Sequence, residues 1–141
     1  MKVFFDTNVY VAEALLGHAA EEMIAATSKA HWRIFVGQHV LNEVVTVLAN
    51  QKGFSFRFAR LTCQRILRRS VCVEPPASRH QVLDDERDSP ILQAALAASV
   101  DYLITNDRHL LSLDPYESLR IVSMSDYYQL LRVQGLMIAD R

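Results

Sequence analysis

The chain has 141 residues, 50% of them hydrophobic, and a formal net charge of −1. That is enough for one domain, residues 1–141, with a real core, and too balanced a charge for a global basic field that would draw nucleic acid or anionic lipid; an RNA substrate would need local attraction assisted by a cation. No run reaches bilayer length, Asp6 arrives too soon for a signal peptide, and the isolated Cys63 and Cys72 read as reduced thiols, so a cytoplasmic protein without membrane contact is expected.

Lys2 to Phe5 reads as a short buried strand ending at Asp6-Thr7-Asn8. Val9 to Leu16 and Ala19 to Ala30 read as helices, the second with Met23 and Ile24 inward. Arg33 to Val36 is the next strand, closed by Gly37. From His39, the residues Val40, Val44, Val47 and Leu48 keep helical spacing up to Gly53, with Glu43 near the helix start. Ser55 to Ser70 is an amphipathic helix. Phe56, Ala59, Cys63, Ile66 and Leu67 form its apolar stripe, and Arg57, Arg60, Arg65, Arg68 and Arg69 fill much of the rest. Val71 to Val73 is a third strand, stopped by Pro75-Pro76. An acidic loop (Asp84, Asp85, Glu86, Asp88) then enters Ser89-Pro90, a hydroxyl cap with proline at the first helical position. In the following helix Ile91, Ala94, Ala95 and Ala98 share one face, suited to close packing on a sheet. Asp101 to Thr105 is a fourth strand that stops at Asp107, Arg120 to Val122 a fifth, and Ser125 to Leu131 the last helix.

Strands alternating with helices argue for an α/β sandwich around a mostly parallel sheet. Short strands that are apolar without alternation fit burial on both faces. Right-handed crossovers put each strand's carboxyl end, and the start of the helix after it, on one edge. Asp6, Glu43, Asp88 and Asp107 therefore share that edge, where open α/β sheets bind ligands at the reversal of strand order. If the first and fourth strands are neighbours there, Asp6 and Asp107 face each other.

Crowded carboxylates repel, and a hard divalent cation with oxygen ligands is the usual remedy. Mg²⁺ keeps several waters, polarises phosphoryl oxygens and activates a bound water, so the set suits metal-assisted phosphodiester hydrolysis. Asn8 and Thr105 can orient ligands without adding charge. Singly, each acid has a plainer reading. Asp6 and Asp107 can cap helices, Glu43 can be a solvated helix residue, and Asp88 can complement a helix dipole. Their shared edge shifts the balance.

These pieces are recognisable together. Val3-Phe-Phe-Asp6-Thr7-Asn8-Val9, Leu41-Asn42-Glu43-Val44, Asp88-Ser-Pro-Ile-Leu-Gln-Ala-Ala-Leu and Tyr102-Leu-Ile-Thr105-Asn106-Asp107 follow in order. The chain thereby resembles the PIN-domain family of metal-dependent ribonucleases, above all the small VapC-like toxins of type II toxin–antitoxin pairs. The resemblance implies a three-layer α/β/α, Rossmann-like fold with a five-stranded sheet. It also implies Mg²⁺ or Mn²⁺ held by Asp6, Glu43, Asp88 and Asp107 as metal-binding and catalytic acids, supported by Thr7, Asn8 and Thr105. An RNA substrate, a cognate antitoxin and a homodimer follow from it too. Two departures stand out: Gln38-His39 replace a common Ser or Thr, and Asn106 a common Gly. Asp84, Asp85 and Glu86 read as a solvated loop.

Arg57, Arg60, Arg65 and Arg68 form either a solvated face or a contact for RNA phosphates or an acidic partner. Phe54 and Phe58, if exposed beside them, favour a partner. The rival class is a non-catalytic PIN-like module that binds protein or RNA. A phosphoryl-aspartate protein needs a lysine near its acids, and Lys2, Lys29 and Lys52 do not supply one late in the sheet. The four glycines form neither a dinucleotide nor a P-loop motif.

Overall fold

The computed structural model describes residues 1–15, 17–73 and 89–137. The acidic loop with Asp84, Asp85, Glu86 and Asp88 lies outside the described residues. Five strands form one sheet: β1 (Lys2–Phe5), β2 (Arg33–Gly37), β3 (Val71–Val73), β4 (Tyr102–Ile104) and β5 (Arg120–Val122). Their order is β3-β2-β1-β4-β5, and every pairing is parallel. The expectation of a mostly parallel sheet thus resolves to an all-parallel one. Val3, Phe4 and Phe5 of the central strand are completely buried, as a strand covered on both faces requires.

The helices between the strands are α1 (Thr7–Ala14), α2 (His18–Lys29), α3 (Gln38–Thr46), α4 (Phe56–Arg69), α5 (Pro90–Ala97), α6 (Arg108–Leu111) and α7 (Met124–Val133). None of them is long and apolar enough to cross a membrane. The first starts two residues earlier than its apolar spacing implies, because Asp6 caps it by accepting from the Thr7 N–H at 2.6 Å. The helix expected to run on to Gly53 instead changes character after Thr46, into a π-helical turn over Val47–Gln51. The short α6 is the helix that Asp107 caps.

The α4 stripe is also shifted. Ala59, Thr62 and Ile66 are the buried residues, whereas Phe56 and Leu67 are 60% and 43% exposed. Thr62 can be buried because its hydroxyl donates to the Phe58 carbonyl at 3.0 Å. Phe54 and Phe58 are not an exposed pair; half-buried, they stack with centroids 4.7 Å apart. On α5 the buried face is Leu92, Ala94 and Ala95, with Ile91 and Ala98 at its margins. A Cβ on Gly37 would come within 3.1 Å of the Ala94 methyl, so glycine at the end of β2 is what lets α5 lie so close.

Two polar contacts lock helices together. Arg69 of α4 makes a two-pronged ion pair with Glu13 of α1, at 2.8 and 2.9 Å. Thr27 of α2 donates to the Met23 carbonyl at 2.9 Å, so across the buried 2.7 Å contact it is the Tyr127 phenol of α7 that donates to Thr27. Tyr127→Phe should therefore lower the unfolding free energy by about 1 kcal/mol. The check is a urea melt with a reduced midpoint and an unchanged slope.

Candidate active site

The strand order reverses between β1 and β4, and the carboxyl ends of both strands carry an acid. Asp6 extends β1 by donating its backbone N–H to the Ile104 carbonyl at 2.9 Å. Its side chain is 4% exposed, an unusual place for a carboxylate. Both oxygens are engaged: Oδ1 accepts from the Thr7 N–H and Oδ2 from the Thr105 hydroxyl, each at 2.6 Å. Thr105 also accepts the Asp107 N–H at 2.9 Å, so one hydroxyl links the two acids across the reversal. On the other side the Thr7 hydroxyl donates to Glu43 Oε1 at 2.7 Å. A continuous network thus runs Glu43, Thr7, Asp6, Thr105, Asp107.

The plain and the chemical readings of the acids coexist. Asp6 does cap α1, and Asp107 caps α6 by accepting from the His109 N–H at 2.8 Å. Glu43 is about half exposed and Asp107 is open to solvent. Asn8 sits exposed on the first turn of α1, outside the network of hydrogen bonds. Asp88 falls among the residues that are not described.

Sequence reading passed over His39 except as a departure from the family pattern. Its Nε2 lies 3.5 Å from Glu43 Oε1. The signal was present, since residues four apart on a helix meet on one face.

Burial pushes the Asp6 carboxyl above its ordinary 3.8. The Thr105 and Thr7 hydrogen bonds oppose that rise, and the charges of Glu43 and Asp107 add to it. Among the described residues no three Asp, Glu, His or Cys side chains gather closely enough to hold an ion by themselves. The donor set still fits Mg²⁺ or Mn²⁺. It offers hard carboxylate oxygens, one of them buried and electrostatically coupled to two others, and Mg²⁺ needs only one or two carboxylates beside its waters and substrate oxygens.

A family model described as PIN domain matches residues 2–109, from β1 into α6. The chain belongs to the PIN domain family. Proteins of this family are typically nucleases and generally metal-dependent. Among solved structures, a chain of the VapBC2 crystal structure from Rickettsia felis, bound to a DNA fragment from their promoter, is similar with a TM-score of 0.64. Identity is 15%, over 87% of this chain and 98% of that one, so the likeness is one of fold. No curated protein sequence matches the chain. The β1–β4 reversal is therefore the PIN domain's candidate site, and β5 and α7 complete the fold beyond the family match.

The raised Asp6 pKa sets a sign. An unfolded chain releases this proton near 3.8, while the PIN domain holds it to higher pH. Metal-free protein keeps the associated stability below the unfolded value and loses it as pH rises through the folded one. Asp6→Asn should flatten that slope and leave the melting temperature in chelator, at neutral pH, equal or higher; calorimetry across the weakly acidic range reads both. Thr105→Val acts oppositely. It strips a donor from a buried carboxylate and should cost about 1–3 kcal/mol in the same chelated protein, measured by urea unfolding.

Proposed function

We propose that this PIN domain is a divalent-cation-dependent endoribonuclease that hydrolyses RNA phosphodiester bonds, and that it is the toxin of a toxin–antitoxin pair. The observation that carries the reading is the buried Asp6 carboxylate, clamped by Thr7 and Thr105 and coupled to Glu43 and Asp107. In this reading Asp6, Glu43, Asp88 and Asp107 hold Mg²⁺ or Mn²⁺, and Thr7 and Thr105 fix the angle at which the carboxylates face it. When bound, the cation neutralises the cluster and polarises a phosphoryl oxygen. Thr105 and the Thr7 amide keep Asp6 from swinging, so its orientation is settled before substrate arrives. As water bonds to phosphorus and the bond to the leaving ribose oxygen breaks, one of the solvent-accessible acids Glu43 and Asp107 takes the water's proton and the leaving oxygen takes a proton from solvent.

The outer face of α4 supports a protein partner. Arg57, Arg60, Arg65 and Arg68 are exposed there, interleaved with exposed Phe56, Leu61 and Leu67. Exposed apolar side chains among cations favour an acidic amphipathic segment, such as part of an antitoxin, over bare RNA. A second copy placed on this face by twofold symmetry would set arginine against arginine. In this reading the homodimer uses a different surface. The solved relative with VapBC2 in its name is consistent with an antitoxin partner.

The rival reading, a non-catalytic binding module, uses the α4 face and leaves the acids idle. A Mn²⁺ titration of thermal unfolding separates the two. Native-state binding should stabilise the wild type by about 2.7 kcal/mol at a hundredfold excess over the dissociation constant. The gain should be lost in Asp6→Asn; equal, small responses in both proteins favour the module. In RNA cleavage with Mn²⁺, Asp107→Asn and Glu43→Gln should each lose at least about a hundredfold in rate. Full activity of Asp107→Asn overturns the nuclease assignment.

A further inference from the structure

A cavity of about 220 Å³ opens beside the acids and is used by none of them. Phe4, Gly37, Val40, Val73 and Ala94 wall it, and Gln38, His39 and Gln93 bring polar groups to it. It sits at the end of β2, where α3 begins and α5 passes close. His39 belongs to both places, lining the cavity while its Nε2 stands 3.5 Å from Glu43 Oε1.

We propose that this cavity holds one unpaired nucleobase of the RNA, next to the phosphate that is cut. The inference rests on the nuclease reading and deepens it to a subsite that selects sequence. Size is the first argument. The volume falls short of the roughly 300–1,000 Å³ that receives a whole drug-sized ligand, so it admits one ring system and leaves the sugar and phosphate outside. The walls are the second. Partly buried Val73 and Ile91 and exposed Pro90 give the cavity its open apolar surface above a floor of Phe4, Val40 and Ala94, while Gln38 and His39 bring polar groups to the rim. Single-stranded RNA is recognised in this way, with a splayed base stacked in a slot and its edge hydrogen-bonded.

Preorganisation is the third. The Gln38 amide is tied to Asn42 Oδ1 at 3.0 Å, so a reading group on the rim is held in one orientation without a ligand. Position is the fourth. A base seated against His39 lies next to Glu43, which Thr7 links to Asp6.

The test needs no cleavage. The full chain carrying Asp107→Asn, ¹⁵N-labelled, is titrated with each of the four ribonucleoside 5′-monophosphates, and amide shifts are followed. Saturable shifts should centre on Gly37, Gln93 and Ala94, with one nucleotide preferred over another by about tenfold. Adding Ala94→Ile, which fills the slot, should abolish them. Because Ala94 lies close to Gly37, Gln38→Ala provides a second variant on an exposed residue; it should weaken the preferred nucleotide and spare the others. Absence of shifts around the cavity, or equal shifts in the Ala94→Ile protein, overturns the proposal. A wild-type Mn²⁺ response with silent nucleotides sinks the base subsite alone, whereas nucleotide binding without a Mn²⁺ response sinks the nuclease reading.

Discussion

Everything at the acidic edge depends on one buried carboxylate. Asp6 sits where a central strand ends, nearly out of water, at a cost that burial always imposes on a charge. Two threonines make that tolerable. One gives its backbone N–H to Asp6 and its hydroxyl to Glu43, the other its hydroxyl to Asp6 while accepting from the Asp107 amide. The hydrogen bonds offset part of the desolvation, and the like charges of Glu43 and Asp107 leave the remainder uncompensated. The fold holds the linked Asp6 and Asp107 in this arrangement through the parallel pairing of β1 with β4.

The framework around this edge is rigid in ways that bear on the site. Glu13 and Arg69 pin the helix that Asp6 caps to the arginine-bearing α4. A buried phenol–hydroxyl contact pins α7 to α2, so the segment beyond the family match is part of the same packed body. The absence of a side chain at Gly37 lets α5 settle against β2 and shapes the wall of the cavity beside Glu43. The acids and the cavity thus rest on contacts formed by different elements. The acids hang on β1, α3 and β4, and the slot on β2, α3 and α5.

Two of the acids have a structural duty of their own. Asp6 and Asp107 each satisfy the first turn of a helix while facing the site. An N-cap aspartate at the carboxyl end of a parallel strand has this double use built in, because the following helix begins where ligands bind. Capping therefore does not argue against the proposed role of these two acids.

Much was legible in the chain alone. Apolar strands without alternation, the D-T-N and T-x-D elements and the Ser89-Pro90 helix start are local signals, and local signals survive without coordinates. The rule for right-handed crossovers then put Asp6, Glu43, Asp88 and Asp107 on one edge, of which Asp88 lies outside the described residues. Tertiary structure decided what depends on partners distant in sequence. Thr7 joins Asp6 to Glu43, and His39 touches both Glu43 and the cavity. On α4, Thr62 takes the buried position and leaves Phe56 and Leu67 to solvent, because its hydroxyl finds a carbonyl within its own helix while neighbouring elements cover that face. Periodicity identifies a face of a helix, but burial is settled by whatever packs against it, and that is a property of the assembled fold.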